Sequence, residues 1–289
     1  MSSWSFGSGG MDANGHTDTE GRGISGGKDY QPIYASSTRQ LYPIGHRRGY
    51  PDGRVFRYAK AFSAVEAGDL VAFDATSQQA IEMVATAMRT STGTAAGAIA
   101  SSDTVSSLYF LDTDVLTAAQ SDNVLAGGFV HVLHSTDGGH TYRIKSHTYT
   151  ASTSVMKVNL FDSVVGNIDS EAEVGITGSL YNNVAIANNG SDDAVAGVSF
   201  VDIAAGSYGW LQTWGIGTVL ADESAGTIAK GTIAVLSDGV NGAAEPLNIA
   251  AQNSQDDTSL LNFAEPLLGY FLDAAQDKNY VPIYLQIAP

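Results

Sequence analysis

Chemistry in this sequence would have to come from six histidines, a few acidic pairs, one glycine-framed serine and a run of arginines and tyrosines. Gly23-Ile24-Ser25-Gly26-Gly27 carries the letters G-x-S-x-G. A nucleophile elbow needs an apolar strand before it and a helix after it, and here glycine and polar residues flank it instead. Gly27-Lys28 resembles the end of a phosphate-binding loop, but Arg22 stands where the first glycine belongs and Asp29 replaces Ser or Thr. His131 and His134, three apart on a strand, point to opposite faces and cannot clasp one metal. His140 and His147 approach across a hairpin, but a zinc site needs further ligands. The pairs Asp112/Asp114, Asp192/Asp193 and Asp256/Asp257 have no calcium-loop spacing and fit solvated turns. A carboxylate pair for glycoside hydrolysis comes from distant strands, and nothing here singles one out. There is no cysteine, hence no disulfide framework, thiolate site or cysteine nucleophile. The sequence therefore predicts no catalytic residue, no cofactor and no metal, and no enzyme.

The arginine–tyrosine run is a different kind of signal. Residues 1–60 hold 8 basic and 5 acidic side chains, whereas the remainder holds 6 basic and 25 acidic, for an overall charge of −16. A basic leader on an acidic body suggests a partner. Sparse arginines and an acidic body that repels phosphate argue against nucleic acid. Residues 1–31 are rich in Gly, Ser and Asp and cannot bury enough surface to fold alone. In residues 32–60, Pro32, Pro43 and Pro51 forbid a helix, and Pro51-Asp52-Gly53 makes a turn. Such a segment orders by lying along another surface. The expectation is an extended basic N-terminal arm over 1–60 and a β-rich body over 61–289 that folds without it. The arm would grip a partner through Tyr34, Arg39, Leu41, Tyr42, Ile44, Arg47, Arg48, Tyr50, Arg54, Phe56, Arg57 and Tyr58. Exposed ion pairs contribute only about 0–1 kcal/mol each, so apolar burial must carry most of that grip.

The body centres on Val195 to Leu220. From Gly209 it alternates, with Trp210, Gln212, Trp214, Ile216 and Thr218 predicted on one face. Two tryptophans on one strand need covering by a core, or else form an exposed aromatic platform for glycans. Phe129–His134 and Tyr142–Tyr149 read as a hairpin around Asp137-Gly138-Gly139. Further strands are expected at Leu70–Ala75, around Met156–Leu160, at Val174–Leu180, Val184–Ala187, Thr232–Leu236, Gly269–Leu272 and Val281–Ile287. Pro282 places the last at an edge or a bulge. Val164–Ala172 suits a turn or two of helix, and 85–107 and 248–262 suit loops. The fold class is all-β, a β-barrel or β-sandwich with little helix and a possible inserted subdomain at about 85–183. The opening residues lack a signal peptide's basic and apolar regions, and no run of 18 apolar residues suggests a membrane span.

Four blocks carry a family likeness: Tyr50-Pro51-Asp52-Gly53-Arg54-Val55-Phe56-Arg57-Tyr58-Ala59, Val65-Glu66-Ala67-Gly68-Asp69-Leu70-Val71, Ala205 through Gly215, and Leu268-Gly269 through Ile287. In this order they resemble the decoration, or cement, proteins of tailed-bacteriophage heads. The resemblance covers about half the chain, and its motifs are turns and strands. It implies a virion structural protein on the outer face of an icosahedral capsid, assembled in a bacterial cytoplasm. It also implies the major capsid protein and sister copies, commonly in a homotrimer, as partners, and no catalytic residues. The alternative is a phage fibre or surface glycan-binding module using Trp210 and Trp214.

Overall fold

The computed structural model describes residues 17–18, 31–73, 105–111, 123, 125–134, 138–152, 154–165, 168, 173–188, 194–247, 266–274 and 279–289. The protein is all-β, and among the described residues no helix forms. It divides into two compact units, Met1–Phe73 with Asn183–Pro289, and Asp74–Asn182. The strands, in order, are β1 (Thr17–Asp18), β2 (Arg47–Gly49), β3 (Val55–Ala61), β4 (Leu70–Phe73), β5 (Ser107–Leu111), β6 (Phe129–His134), β7 (Thr141–Thr150) and β8 (Val155–Leu160). They continue as β9 (Glu173–Thr177), β10 (Asn182–Ile186), β11 (Val195–Ser199), β12 (Tyr208–Ala221), β13 (Ile233–Leu236), β14 (Ala243–Pro246), β15 (Leu267–Phe271) and β16 (Tyr280–Gln286).

In the larger unit the strand order is β1-β2-β3-β10-β4-β11-β12-β14-β13-β15-β16, with β12 also pairing with β3 and with β16. Those two extra pairings close the sheet twice, giving barrel-like circuits that share β12. Within each circuit closure removes the unpaired edges that would otherwise invite aggregation, and β1 and β2 extend from β3 outside them. The first half of β12 runs against β3 from Tyr208↔Lys60 to Trp214↔Val55. Its second half runs against β16 from Trp214↔Gln286 to Leu220↔Tyr280. The changeover is built by a bulge, since the register with β3 slips between Gln212 and Trp214. The extra residue, Thr213, is satisfied from the C-terminus. Its carbonyl accepts the N–H groups of Ile287 (3.0 Å) and Ala288 (3.1 Å), and its hydroxyl donates to Ala288 O (2.6 Å). Buried Gln212 donates its side-chain amide to the carbonyls of Trp214 and Ile216.

The bulge overturns the single-face expectation for this strand. Trp210 and Gln212 are fully buried, but Ile216 is 59% exposed and Thr218 is exposed as well. Pro282 is likewise not on an edge strand. Strand β16 lies between β12 and β15, and Pro282 sits past the end of β15, where Leu272 N–H donates to its carbonyl. The main apolar cluster joins Val219, Val281, Ile283 and Leu285 with Leu70 and Val198.

Residues 31–61 also differ from the arm expectation. Strands β2 and β3 are laid into the sheet of their own chain, with β3 against β12. Isolated bridging adds Ser37 opposite Tyr208. The segment finds its neighbouring surface inside the same molecule, so removing 1–58 would strip β2 and most of β3 from the sheet. The body at 61–289 is therefore not a self-contained piece.

The smaller unit is a five-stranded antiparallel sheet ordered β5-β8-β7-β6-β9. One face is apolar, with Phe110, Val130, Val132, Tyr142, Ile144 and Val158 buried together. The β6–β7 hairpin follows the alternation in the sequence. Expected helix Val164–Ala172 is absent among its described members. Val164, Val165 and Ile168 are non-helical, and the rest lie outside the described residues, as do 85–104 and 248–262.

Gly215 anchors the changeover in β12. Its φ is +87°, and a Cβ there would sit 3.1 Å from Arg54 Cα and from Gly53 O. Left-handed backbone costs an alanine about 1–2 kcal/mol, before any crowding. Gly215→Ala should therefore lower the thermal unfolding midpoint by roughly 2–8 °C, measured by circular dichroism. An unchanged midpoint would show that the bulge does not depend on this glycine.

Candidate partner-binding surface

The predicted partner-binding residues fall into three groups in the structure. Arg48, Phe56 and Tyr58 are completely buried. Leu41, Tyr42, Ile44, Arg47, Tyr50, Arg54 and Arg57 are half-buried, while Tyr34 and Arg39 are exposed.

The buried group is organised by Trp210. The Arg48 guanidinium carbon lies 3.8 Å from the centre of the Trp210 ring and 4.9 Å from that of Tyr42. Attraction between a cation and the ring face is strong when water is excluded. Arg48 Nη1 (2.8 Å) and Trp210 Nε1 (3.1 Å) both donate to the carbonyl of Gln31. The Gln31 side chain donates to the carbonyls of Ala35 and Tyr208 and accepts from the Tyr58 hydroxyl at 2.7 Å. That hydroxyl in turn accepts Leu41 N–H, and burial pushes the Tyr58 pKa up. Arg48, Phe56 and Tyr58 are thus spent on their own chain, because a ring as large as Trp210 needs cover and an acceptor for its N–H. As direct contacts to a partner they are corrected by the structure.

What faces outward is an open cleft of about 690 Å³ in the larger unit. Ile216, Gly217 and Thr218 of β12 line it together with Pro282 of β16. Tyr34, stacked on Phe200 at 5.8 Å, stands along one side. Tyr280, 55% exposed, lies over Gly68, where any Cβ would strike the ring. Arg54 also lines it, fixed by Asp52 at 2.7 Å. Burial pulls the Asp52 pKa up, but hydrogen bonds and charge from Arg54 outweigh it and hold the carboxyl low. Burial works against the Arg54 charge, and Tyr34 and Asp52 beside it more than compensate. The arrangement is apolar and aromatic with one oriented cation, which is suited to holding a chain segment.

Of the twelve predicted residues, Tyr34 and Arg54 line this cleft. Sequence reasoning missed Phe200, Ile216, Tyr280 and Pro282. The signals that mark them are Gly215 and Gly217 inside a strand, which hint at a bulge, and Gly68 before β4.

Among the described residues no group of three or more His, Asp or Glu side chains is placed to hold a metal ion. His147 is a structural residue, its Nδ1 accepting Leu125 N–H. His131 bridges the hydroxyls of Thr141 (3.1 Å) and Thr177 (2.9 Å). The carboxylate of Asp222 accepts the hydroxyls of Ser224 and Ser237 and so pins a turn.

No family model matches the chain, nor does any curated protein or solved structure.

Asp69, next to the cleft-lining Gly68, gives a pH test. Burial raises its pKa, and the nearby Glu66 and Asp202 charges add to this despite a hydrogen bond from Glu66 N–H. A carboxyl raised in the folded state holds its proton longer than in the unfolded chain. Its contribution is therefore best at low pH and declines as pH rises above the ordinary value of 3.8. Asp69→Asn keeps an acceptor for Glu66 N–H and removes the buried charge. It should raise the melting midpoint at pH 7 and lose that advantage below pH about 4. A variant that melts lower at pH 7 would contradict this.

Proposed function

We propose that this is a virion structural protein, a decoration protein that sits on the outer face of a tailed-phage head and reinforces it. The observation that carries the reading is the cleft of Tyr34, Phe200, Ile216, Tyr280 and Pro282 with Arg54 beside it. It is an adhesive surface on a body whose two strand circuits are closed. Its volume suits the side chains of one inserted segment, here supplied by the major capsid protein or a sister copy in a homo-oligomer, a trimer by resemblance.

The mechanism is attachment, without turnover. Residues 31–61 work indirectly, since burying Trp210 under Arg48 fixes the strand that floors the cleft. Outward residues of the same segment, Tyr34, Arg39 and Arg54, meet the partner. Each contact is modest, and repetition across symmetric copies multiplies it through avidity. The glycan platform of Trp210 and Trp214 loses support because Trp210 is fully buried.

Heads assembled without this chain and then mixed with purified protein should take it up in a stoichiometry set by capsid symmetry. They should also withstand higher temperature. Ile216→Lys, at an exposed position, should cut uptake at least tenfold while leaving the melting curve unchanged. Heads that take up no protein, or take up the variant equally well, would defeat the proposal.

A further inference from the structure

The turn Glu66-Ala67-Gly68-Asp69 gives the cleft of the larger unit a charged wall. Ala67 and Gly68 line the cleft, and exposed Glu66 immediately precedes them. Asp202, also exposed, follows the cleft-lining Phe200 by two residues and accepts Ala67 N–H at 3.0 Å. Asp69 is buried at the same turn, where its Oδ2 accepts Glu66 N–H at 2.9 Å. Three carboxyl groups thus crowd one wall. Burial acts first on the Asp69 carboxyl, and the charges that then act on it are those of Glu66 and Asp202, with no cation opposing them. Among the described residues none of these three acids forms an ion pair.

The rest of the cleft does not cancel that charge. Arg54 is paired with Asp52 at 2.7 Å, so the two together carry no net charge. Ile216, Gly217 and Pro282 make an apolar floor, and the exposed Tyr280 ring lies over Gly68, beside the acids. In this unit only three bases, Arg22, Lys28 and Lys278, have side chains outside the described residues, against ten acids. By number, then, the remaining side chains add negative charge to the unit rather than remove it.

An apolar floor, an exposed aromatic ring and unpaired carboxylates on one wall together complement a cation carried on an apolar segment. On the reading that this cleft is the attachment surface, we infer that the segment entering it is basic. An apolar side chain sits on Ile216 and Pro282, and a lysine or arginine beside it meets Glu66 and Asp202. Exposed ion pairs contribute little affinity, so apolar contact holds the segment while charge selects it and rejects acidic competitors. A bare metal ion does not fit, since among the described residues no three His, Asp or Glu side chains are placed to hold one, and an ion would leave the floor uncovered. Nucleic acid would bring charge of the same sign as the wall. A second copy is a poor occupant, because two chains of net charge −16 repel. Its own Arg48, Arg54 and Arg57 are held by Trp210, by Asp52 and by the carbonyls of Gly45 and Pro289. The partner is therefore a different protein with a basic segment, which on the attachment reading is the capsid protein.

Titration of the full chain at low salt with capped pentapeptides, followed by NMR at the Ile216 methyl signal, tests the inference. The peptide LGKGL should bind at least threefold more tightly than LGQGL, and LGEGL more weakly than either. In about 1 M salt, where charges are screened beyond about 3 Å, that preference should largely vanish. Glu66→Gln/Asp202→Asn, which keeps an acceptor for Ala67 N–H, should bind LGQGL as the parent chain does and lose the preference. Asp162→Asn, a charge removed from the other unit, should keep it. The inference is overturned if no peptide shifts the signal, or if LGQGL or LGEGL binds as tightly as LGKGL. It is equally overturned if the double variant retains the preference or Asp162→Asn loses it. Self-association in sedimentation that Ile216→Lys abolishes would place a second copy in the cleft and overturn it too. Uptake by heads separates the two readings. Heads that take up the double variant as readily as the parent defeat the basic segment alone, whereas heads that take up neither defeat the attachment reading.

Discussion

A tryptophan buried in the middle of a sheet needs both a lid and an acceptor for its indole N–H, and meeting those two needs shapes the larger unit. The carbonyl of Gln31 supplies the acceptor for Trp210 and for Arg48 at once. The Arg48 guanidinium supplies the lid, resting against the ring. Burying an arginine is expensive unless its donors are met and its charge is stabilised. The ring face stabilises the charge, and the Gln31 carbonyl takes the Nη1 donor. This converts a basic, proline-bearing leader from a free arm into part of the fold.

The second constraint is that β12 serves two circuits. A single 14-residue strand cannot keep one register against both β3 and β16, so the chain inserts Thr213 as a bulge and turns at Gly215. The C-terminal residues Ile287 and Ala288 satisfy the bulge, so the chain's end helps to set its middle. The same kink turns Ile216 and Thr218 outward, and with Pro282 and Tyr280 they form the cleft. The adhesive surface is thus a by-product of how the sheet closes.

Much of the fold was legible in local patterns. The Phe129–Thr150 hairpin announced itself by alternation around Asp137-Gly138-Gly139, and β16 by Val281, Ile283 and Leu285 on one face. The destination of Arg48 and Tyr58 was not legible. Which surface an extended segment lies on is a long-range choice, and tyrosines and arginines look alike on a partner and on their own core. The bulge hid the cleft for a related reason. Strict alternation placed Ile216 with Trp210, and only the inserted Thr213 separates them. In the smaller unit, alternation of Lys157 and Asn159 with apolar neighbours was visible, but not their cross-strand partners, which depend on register with β5 and β7.

The central claim is that residues 31–61 complete the fold by sealing Trp210. Hydrogen exchange at the Trp210 indole N–H, followed by NMR with Trp210→Phe to assign the signal, reads that seal directly. The account predicts protection close to that of the slowest backbone amides in β12, since only global opening would expose the group. Exchange within seconds in the intact protein would mean that the segment lifts freely from the sheet, and the account would fail.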